Sequence, residues 1–373
     1  MNRLGVIDWN GFTRPLAHRV KSPSHKPAFP RTPQFELKEI GFCIAQQLFI
    51  LQEQRKWKGG IIAMDDSGNY WRGPEIQQWY RENTQQATHS ETGVTYLAFD
   101  NSVREIQPDG SVSKSLAQAK VPTDLEWKLV EDEHWPRLPT YKGNRKGKPW
   151  MLETPPEKYY KALTQWAYWF AGILGMKVVK IPTMEADDIC AVAGSMSSDL
   201  WNVDILTCDS DYHQLALYPG CTILDTGKGM ITADKANDIL KSLGSKILGG
   251  DTSDNITGLP KGAKGNLARN TDKTGSADKL MYPFTGTTKA ELGKYLLEMG
   301  DTPKMRRNFR LIGLPVNDIT LVGQIKTAIQ STAVSPKTED WSRFELKENR
   351  ISELKDKAME SEFESLFGGD IEV

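Results

Sequence analysis

Short runs of apolar residues alternate along the chain with longer stretches in which apolar residues recur every three or four positions. Each short run has the length of one buried strand, and each longer stretch has the spacing of an amphipathic helix. The predicted strands are 4–7, 61–64, 177–181 and 203–208, with 222–225 as a further candidate. The predicted helices are 35–57, 156–174 and one that begins at about residue 185. This alternation predicts an α/β fold in which helices flank a central, mostly parallel sheet.

Three stretches depart from the pattern. Residues 14–33 carry five prolines and five Lys or Arg residues, which predicts a loop or an extended arm. Residues 73–135 are polar and irregular apart from one strand-like run at 94–99, and from about residue 233 the pattern is mostly helical. These changes divide the chain into an α/β core (1–232), a helical region (233–350) and an acidic tail (351–373).

Composition places the chain among ordinary globular proteins, since 39% of its 373 residues are hydrophobic and 25% are charged. No apolar run is long enough to cross a membrane, and no signal peptide is readable. The four cysteines have no paired spacing, which predicts reduced thiols and a cytoplasmic protein. The five histidines form no zinc-binding pair. We expect a monomer.

The net charge of −1 hides strong local differences. Residues 142–148 hold four basic residues and no acid, and residues 255–310 hold eleven Lys or Arg against five Asp or Glu. The last seventeen residues hold five acids against one Lys. Because local patches matter more than the total for binding phosphates, the two basic stretches are candidate nucleic-acid contacts. A solvated basic surface is the alternative for each of them.

Carboxylates follow the predicted strands, at or just beyond the point where each strand ends. The acids after the four strands are Asp8; Asp65; Glu185, Asp187 and Asp188; and Asp209 and Asp211. Asp251 and Asp254 form a fifth group, in GGDTSDN. Sites in open α/β sheets form at the carboxyl ends of strands, so these acids should converge. Asp209 and Asp211 should face the same way in an extended segment, and Asp251 and Asp254 should share one face of a helical turn.

So many carboxylates do not stay ionised together in a dry site without a cation. Hard oxygen ligands favour Mg²⁺ or Mn²⁺, and two such ions are a standard device for hydrolysing phosphodiesters. Taken singly, Glu185 or Asp188 is explained as well by a helix cap, and Asp8 or Asp209 by a loop acid.

The order and wording of six stretches resemble the motifs of the 5′-nuclease family. That family comprises flap endonucleases, the 5′→3′ exonuclease domain of bacterial DNA polymerase I and bacteriophage 5′ nucleases. The stretches are VIDWNG, AMDDSGNYWR, LPTYKGNR, MEADDICAV, ILTCDSDYHQLA and ILGGDTSDNITGLPKGAKG. IIAMDDSGNYWR and DSDYHQLALYP most resemble the ribonucleases H of T-even bacteriophages. The similarity covers about residues 4–265, with a weaker echo at 307–315.

The resemblance implies roles for the acids. Six of them would hold the more tightly bound metal, directly or through water: Asp8, Asp65, Glu185, Asp187, Asp209 and Asp211. Asp188, Asp251 and Asp254 would help to hold a second ion. Asp66 and Asp100 are rivals of Asp65 for the position after the second strand.

The resemblance also implies phosphate contacts. Lys142 and Arg145 would contact the scissile phosphate, Tyr141 would stack near the terminal base, and Arg72 is a further phosphate-site candidate. Residues 142–175 fall where the family has its arch, with Lys146 and Lys148 as DNA contacts. The segment after residue 250 falls where the family has its helix–three-turn–helix motif, with its bound potassium ion. Its glycine run is reduced here, which puts the potassium site in doubt, and the DNA contacts would be Lys261, Lys264 and Arg269.

These observations favour a divalent-metal-dependent 5′→3′ exonuclease or flap endonuclease that acts on DNA ends and on RNA primers annealed to DNA. A PIN-like structure-specific ribonuclease and a non-catalytic nucleic-acid-binding protein of the same fold remain as alternatives. Residues 73–135 would be an insertion of unassigned role. The tail, with two Phe among its acids, is either a solubilising segment or a docking peptide for a sliding clamp or another replication protein, such as a single-strand-binding protein.

Overall fold

The computed structural model describes most of the first 335 residues. The described ranges are 2–21, 35–66, 70–99, 102–108, 112–113, 116, 120–130, 156–197, 201–251, 254, 256–259, 277–300, 303–315 and 318–335. They form two compact units. The first unit takes its residues from 1–68, 147–239 and 314–373, and the second unit from 69–146 and 240–313. The second unit therefore joins the predicted insertion to most of the described helical region.

The first unit is built on a six-stranded sheet in the order β10–β9–β8–β1–β2–β7. Every neighbouring pair is parallel except β9 and β10, which form an antiparallel hairpin. The strands are β1 (Asn2–Asp8), β2 (Gly60–Met64), β7 (Met176–Lys180), β8 (Trp201–Thr207), β9 (Cys221–Asp225) and β10 (Gly229–Ile231). The predicted α/β class with a mostly parallel central sheet is confirmed, and all five predicted strands are present.

Helices cover both faces of this sheet, so successive residues of a strand are buried although their side chains point to opposite faces. Ile7, Ile62 and Val178 belong to a core that they share with α1 (Trp9–Lys21), α2 (Phe35–Arg55) and α4 (Pro156–Leu174). Neighbours of opposite parity, such as Val6 and Ile61, are equally buried but face the other way. There the sheet meets α5 (Ala186–Ser195), which α10 (Ile319–Ser331) contacts in turn.

The prediction of a loop or arm over 14–33 is wrong for its first part, because residues 14–21 belong to α1. Pro15 lies inside this helix, where it removes one backbone donor. The helix nevertheless buries Trp9, Phe12, Leu16 and Val20 at helical spacing. Tertiary burial of that face outweighs the cost of the proline. Residues 22–34, the rest of the predicted arm, lie outside the described residues.

For 73–135, the strand-like run at 94–99 is confirmed, and the description of the other residues as irregular is wrong for much of what the structure describes. The second unit contains α3 (Arg72–Asn83) and a four-stranded antiparallel sheet in the order β5–β4–β3–β6. Those strands are β3 (Gln85–Thr88), β4 (Thr95–Phe99), β5 (Ser102–Glu105) and β6 (Lys128–Leu129). Helix α3 buries only Arg72, Ile76 and Tyr80, four residues apart, so its apolar signal is too weak to read from sequence.

The rest of the second unit is mostly helical, as predicted. Its elements begin with the larger part of α6 (Ala236–Gly249) and the short antiparallel pair β11 (Gly250–Asp251) and β12 (Ile256–Thr257). They continue with α7 (Ala277–Met281), α8 (Lys289–Gly300) and α9 (Pro303–Ile312). In the part of the chain that the structure describes, no helix has the length and apolar character that a membrane crossing requires. All four cysteines are free thiols.

Candidate functional site

Asp8 ends strand β1 and is buried at the acidic edge, the edge of the central sheet where acids follow β1, β2, β7 and β8. Its side chain is 5% exposed. Oδ1 accepts a hydrogen bond from the Gly11 amide (3.0 Å), and Oδ2 accepts one from the Thr207 hydroxyl (2.9 Å). A Cβ atom at Gly11 would overlap the Asp8 carboxyl group and lie 3.0 Å from Thr207 Oγ1. A glycine at position 11 is therefore part of how this carboxylate is seated.

Asp65 follows the neighbouring strand, β2, and links two elements of the site. Its Oδ2 accepts from Asn10 Nδ2 at 2.7 Å, and its Oδ1 accepts from the Ala186 amide at 2.8 Å. Ala186 is the first residue of α5, where amide donors are unsatisfied within the helix and the dipole favours negative charge. The Asp65 carboxylate thus ties the end of β2 to the start of α5.

Helix α5 begins with three acids that have two different roles in the structure. Glu185 and Asp188 are fully buried and form a reciprocal capping box, in which Asp188 Oδ2 accepts from the Glu185 amide at 3.2 Å. This is the capping alternative that the sequence left open. Asp187 lies between them, is only half-buried, and accepts a hydrogen bond from the Tyr212 hydroxyl at 3.4 Å. A capping carboxylate keeps further lone pairs, so this arrangement is compatible with a ligand role.

Asp209 and Asp211 follow β8 at the start of a 3₁₀ helix, Ser210–Leu217, and not in the extended segment expected from their spacing. Asp209 caps this helix, because its Oδ1 accepts from the Asp211 amide at 2.9 Å. The Asp209 amide in turn donates to Thr207 Oγ1 at 3.1 Å. Thr207 therefore touches both Asp8 and the Asp209 backbone, and joins the ends of β1 and β8.

The charges of this edge act on one another. Burial, then repulsion by Asp65 and by Asp187, raises the pKa of Asp8 to about 7. Burial and then the charge of Asp8 also raise the pKa of Tyr212 and of Cys190 well above their usual values. Carboxylates from three separate elements thus lie within electrostatic range of one another. A bound cation would relieve this repulsion.

The carboxylate oxygens at the edge suit a hard cation, but the described side chains are not close enough together to form a complete set of metal ligands. Among the described residues, no three Asp, Glu, His or Cys side chains are grouped closely enough to hold one metal ion. The carboxylates and hydroxyls described at this edge are hard oxygen donors, which suit Mg²⁺ or Mn²⁺ better than softer ions. We therefore treat the ligand set as a proposal.

Asp66 and Asp100 are the alternatives to Asp65 for the acid that follows β2. The Asp66 carboxylate contacts the segment before α5: Oδ2 accepts from the Thr183 amide at 3.2 Å, and Oδ1 lies 3.5 Å from Lys180 Nζ. Asp100 lies outside the described residues. Asp65 is thus the described acid after β2 whose charge reaches Asp8.

The remaining predicted acids and Arg72 belong to the second unit. Asp251 lies in β11, with Oδ2 3.3 Å from Lys246 Nζ. Asp254 lies in the turn that follows, and its amide donates to the Asp251 carbonyl at 3.3 Å, so the expected helical turn is replaced by a strand and a turn. Arg72 is 2% exposed; its Nε donates to the Leu311 carbonyl at 3.0 Å, and its guanidinium lies 4.7 Å from the Trp71 ring centre.

The predicted phosphate and DNA contacts fall outside the described residues, and they stay predictions. These residues are Tyr141, Lys142, Arg145, Lys146, Lys148, Lys261, Lys264 and Arg269. The potassium site predicted for the same helix–three-turn–helix segment also stays a prediction. In the arch region, the described helix α4 exposes Tyr160 and Tyr168 but buries Tyr159 and Trp166 in the core.

Sequence reasoning missed the side chains that hold the acids in place. Asn10, Thr207 and Tyr212 each contact a predicted ligand. It also missed Asp225, the last residue of β9, which accepts from His213 Nε2 at 2.7 Å and from the Gly227 and Lys228 amides. His213 thereby fastens the 3₁₀ helix to β9. Position was the sequence signal: Asp225 ends the predicted strand 222–225, and the others lie close in sequence to a strand-end acid.

Comparison with known proteins gives structural likeness only. No family model matches the chain, and no curated protein matches it. Among solved structures, the bacteriophage T5 5′-exonuclease with bound zinc has a TM-score of 0.44 at 13% identity, covering 88% of this chain and 98% of that one. A bacteriophage T5 flap endonuclease in a pseudo-enzyme–product complex with DNA and metal ions has a TM-score of 0.43 at 14% identity, with the same coverage.

Proposed function

We propose that the chain is a divalent-metal-dependent nuclease of the 5′ type, which hydrolyses phosphodiester bonds at the 5′ ends and flaps of DNA and in RNA primers annealed to DNA. The observation that carries the proposal is the seating of Asp8. This carboxylate is buried at the end of β1 and lies within electrostatic range of Asp65 and Asp187, which come from two other elements. The motif order around these acids supports the choice of reaction.

In this proposal one Mg²⁺ or Mn²⁺ ion is held by Asp8, Asp65, Asp187, Asp209 and Asp211. Glu185 and Asp188 also bind it, through the carboxylate lone pairs that are not used in the capping box. By the sequence resemblance alone, Asp188, Asp251 and Asp254 would help to hold a second ion. Two such ions would make an attacking water more acidic and stabilise charge on the phosphate.

The chain's own residues have distinct tasks in this scheme. Thr207 and the Gly11 amide orient Asp8, and Asn10 orients Asp65. Lys142 and Arg145 would grip the scissile phosphate, with Tyr141 against the terminal base. Lys146, Lys148, Lys261, Lys264 and Arg269 would bind the duplex backbone. Arg72 has a buried structural contact instead, and we propose that role for it.

A role in phage-type replication, a monomeric state, a cytoplasmic location and contacts with a single-strand-binding protein or sliding clamp belong to the same proposal. The resemblance supports the replication role, the unpaired cysteines support the cytoplasmic location, and the acidic tail with its two Phe supports the docking contact.

A cleavage assay tests the proposal. A 5′-flap duplex and an RNA-primed duplex, each labelled at both ends, are incubated with and without Mg²⁺. We expect Mg²⁺-dependent release of short 5′ products, and the loss of cleavage but not of binding when Asp209 and Asp211 are both changed to Asn. The exposed acid Glu53, changed to Gln, is the matched control. Binding without cleavage by the unaltered protein would favour the non-catalytic alternative.

A further inference from the structure

A tight turn joins β7 to α5 and leads into the acidic start of that helix. The Met184 amide donates to the Ile181 carbonyl at 3.1 Å, Pro182 occupies the second position, and Thr183 has a φ of +66°. This is the pattern of a type II turn, whose third position requires a positive φ and favours glycine or asparagine. Thr183 is β-branched, so its backbone is strained.

Asp66 contacts this turn at three points. Its Oδ2 accepts from the Thr183 amide at 3.2 Å, and its own amide donates to the Met184 carbonyl at 3.2 Å. Its Oδ1 lies 3.5 Å from Nζ of Lys180, the residue that precedes the turn. The strained residue is thus held by a hydrogen bond to its own amide, and the residue after it by a second one.

Adjacent acids therefore fix the two ends of one short segment. Asp66 holds the turn at Thr183 and Met184, and Asp65 accepts from the amide of Ala186. Glu185, Asp187 and Asp188 all lie within or just beyond this segment. Any relaxation of the turn would move them relative to Asp8, which lies on a different strand.

Resting on the proposed function, we propose that Asp66 is a positioning residue and not a metal ligand. Its carboxylate maintains the strained turn, and the turn sets where the acids at the start of α5 stand. A strained backbone persists only where surrounding contacts hold it in place, and the hydrogen bonds of Asp66 are such contacts. This assigns different tasks to two neighbouring acids that the sequence offers as rivals for one position.

Hydrogen exchange on the metal-free full-length protein tests the brace directly. In Asp66→Ala we expect amides of residues 183–188 to exchange roughly tenfold faster, since the change removes the equivalent of one net hydrogen bond. Asp66→Asn keeps an acceptor for the Thr183 amide and should exchange at nearly the rate of the unaltered protein. Adding Thr183→Gly to Asp66→Ala should restore slow exchange, because glycine takes a positive φ without strain.

Calorimetric titration with Mn²⁺ alone connects the brace to the site. We expect Asp66→Ala to bind Mn²⁺ roughly tenfold more weakly, the lower end of the range for residues that orient ligands. Asp66→Asn and the double variant Asp66→Ala with Thr183→Gly should bind nearly as tightly as the unaltered protein. Asp65→Asn should lose affinity, and Glu53→Ala should not.

The outcomes separate the two proposals. Unchanged exchange in Asp66→Ala would overturn the positioning role, whatever happens to Mn²⁺. Faster exchange with unchanged Mn²⁺ affinity would overturn the link between the turn and the ligands. If Asp66→Asn loses as much affinity as Asp66→Ala, with no rescue by Thr183→Gly, Asp66 is a ligand. If the unaltered protein binds no Mn²⁺, the proposed function fails, while hydrogen exchange still decides whether Asp66 maintains the turn.

Discussion

At the scale of single residues, the candidate site is defined by where carboxylates are seated more than by how many there are. Asp8 is buried and bonded to Thr207 and to the Gly11 amide, whereas Asp209 is exposed and caps a helix. Two identical side chains thus have different electrostatic environments. Burial makes the charge of Asp8 costly, and the neighbouring acids add to that cost.

The raised pKa of Asp8 predicts how the stability of the metal-free protein depends on pH. The folded pKa is about 7 against 3.8 for an ordinary aspartate, so the protonated form stabilises the fold. This contribution is fully present below pH 3.8 and is lost as the pH rises through 7. Relative to Asp8→Asn, the unaltered protein should lose on the order of 3 kcal/mol between pH 5 and pH 8.

Urea unfolding of both proteins in the presence of EDTA measures this difference. Parallel curves of unfolding free energy against pH for the two proteins would show that Asp8 is already ionised at pH 5.

Gly11 gives a second prediction at this scale. Gly11→Ala should displace the Asp8 carboxylate, because the added Cβ overlaps it. If the proposed function holds, cleavage should fall roughly a hundredfold, as expected for a misplaced catalytic group. Gly323→Ala is a matched helical control: its Cβ would meet nothing within 4 Å, and it should leave cleavage unchanged. Equal activity of the two variants would mean that the Asp8 position is not critical.

At the scale of elements, the first unit depends on polar contacts that reach from one strand to distant parts of the chain. Asp204, in the middle of β8, is fully buried and accepts hydrogen bonds from Arg3, from two nitrogens of Arg55 and from the Trp57 indole. These donors come from β1, from the end of α2 and from the loop that follows it. One carboxylate therefore fixes β8 against the connection between α2 and β2.

Removing that charge should destabilise the protein without touching the acidic edge. Asp204→Asn leaves Arg3 and Arg55 facing an amide, and we expect a loss of about 3 kcal/mol in unfolding free energy, the lower end for a broken buried ion pair. Glu53→Gln breaks the exposed pair with Lys56 and should cost less than about 0.5 kcal/mol. Chemical denaturation measures both, and similar losses would show that the Asp204 cluster is not specially stabilising.

At the scale of the whole molecule, the chain passes back and forth between two units. Contacts between residues more than 200 positions apart hold the second unit together. Arg310 Nη2 lies 3.0 Å from Glu75 Oε1, and the Arg307 guanidinium lies 4.7 Å from the Trp79 ring centre. Together with Arg72 and Leu311, these contacts join α3 to α9. The segment predicted to be an insertion is therefore a structural partner of the C-terminal helices.

The proposed metal site predicts a thermal response of the intact protein. At a Mn²⁺ concentration of about 100 times its Kd, binding should add roughly 2.7 kcal/mol, or about 3–4 °C in the melting temperature of a chain of 373 residues. EDTA should reverse the shift, and the Asp209→Asn, Asp211→Asn double variant should show little of it. A melting temperature indifferent to Mn²⁺ would contradict a metal bound by the folded state.

The sequence by itself determined the elements whose signal is local and strong. Five of the six strands of the central sheet and helices α2, α4 and α5 were predictable because their apolar residues have the period of one element and enough length to show it. The position of acids at strand ends was likewise readable, since a parallel sheet brings those ends to one edge. The type of reaction was inferred from the family resemblance, which depends on the order of the motifs.

The tertiary structure decided whatever depends on distant contacts. It made residues 14–21 a helix in spite of Pro15, because burial of one face outweighs the lost donor. It joined α3 to α9, gave Glu185 and Asp188 a capping box, and separated the tasks of Asp65 and Asp66. Two adjacent residues such as Asp65 and Asp66 are chemically identical, but their burial, electrostatic environment and hydrogen-bond partners come from the fold. For that reason the sequence predicted which acids follow the strands, and only the structure assigned their contacts.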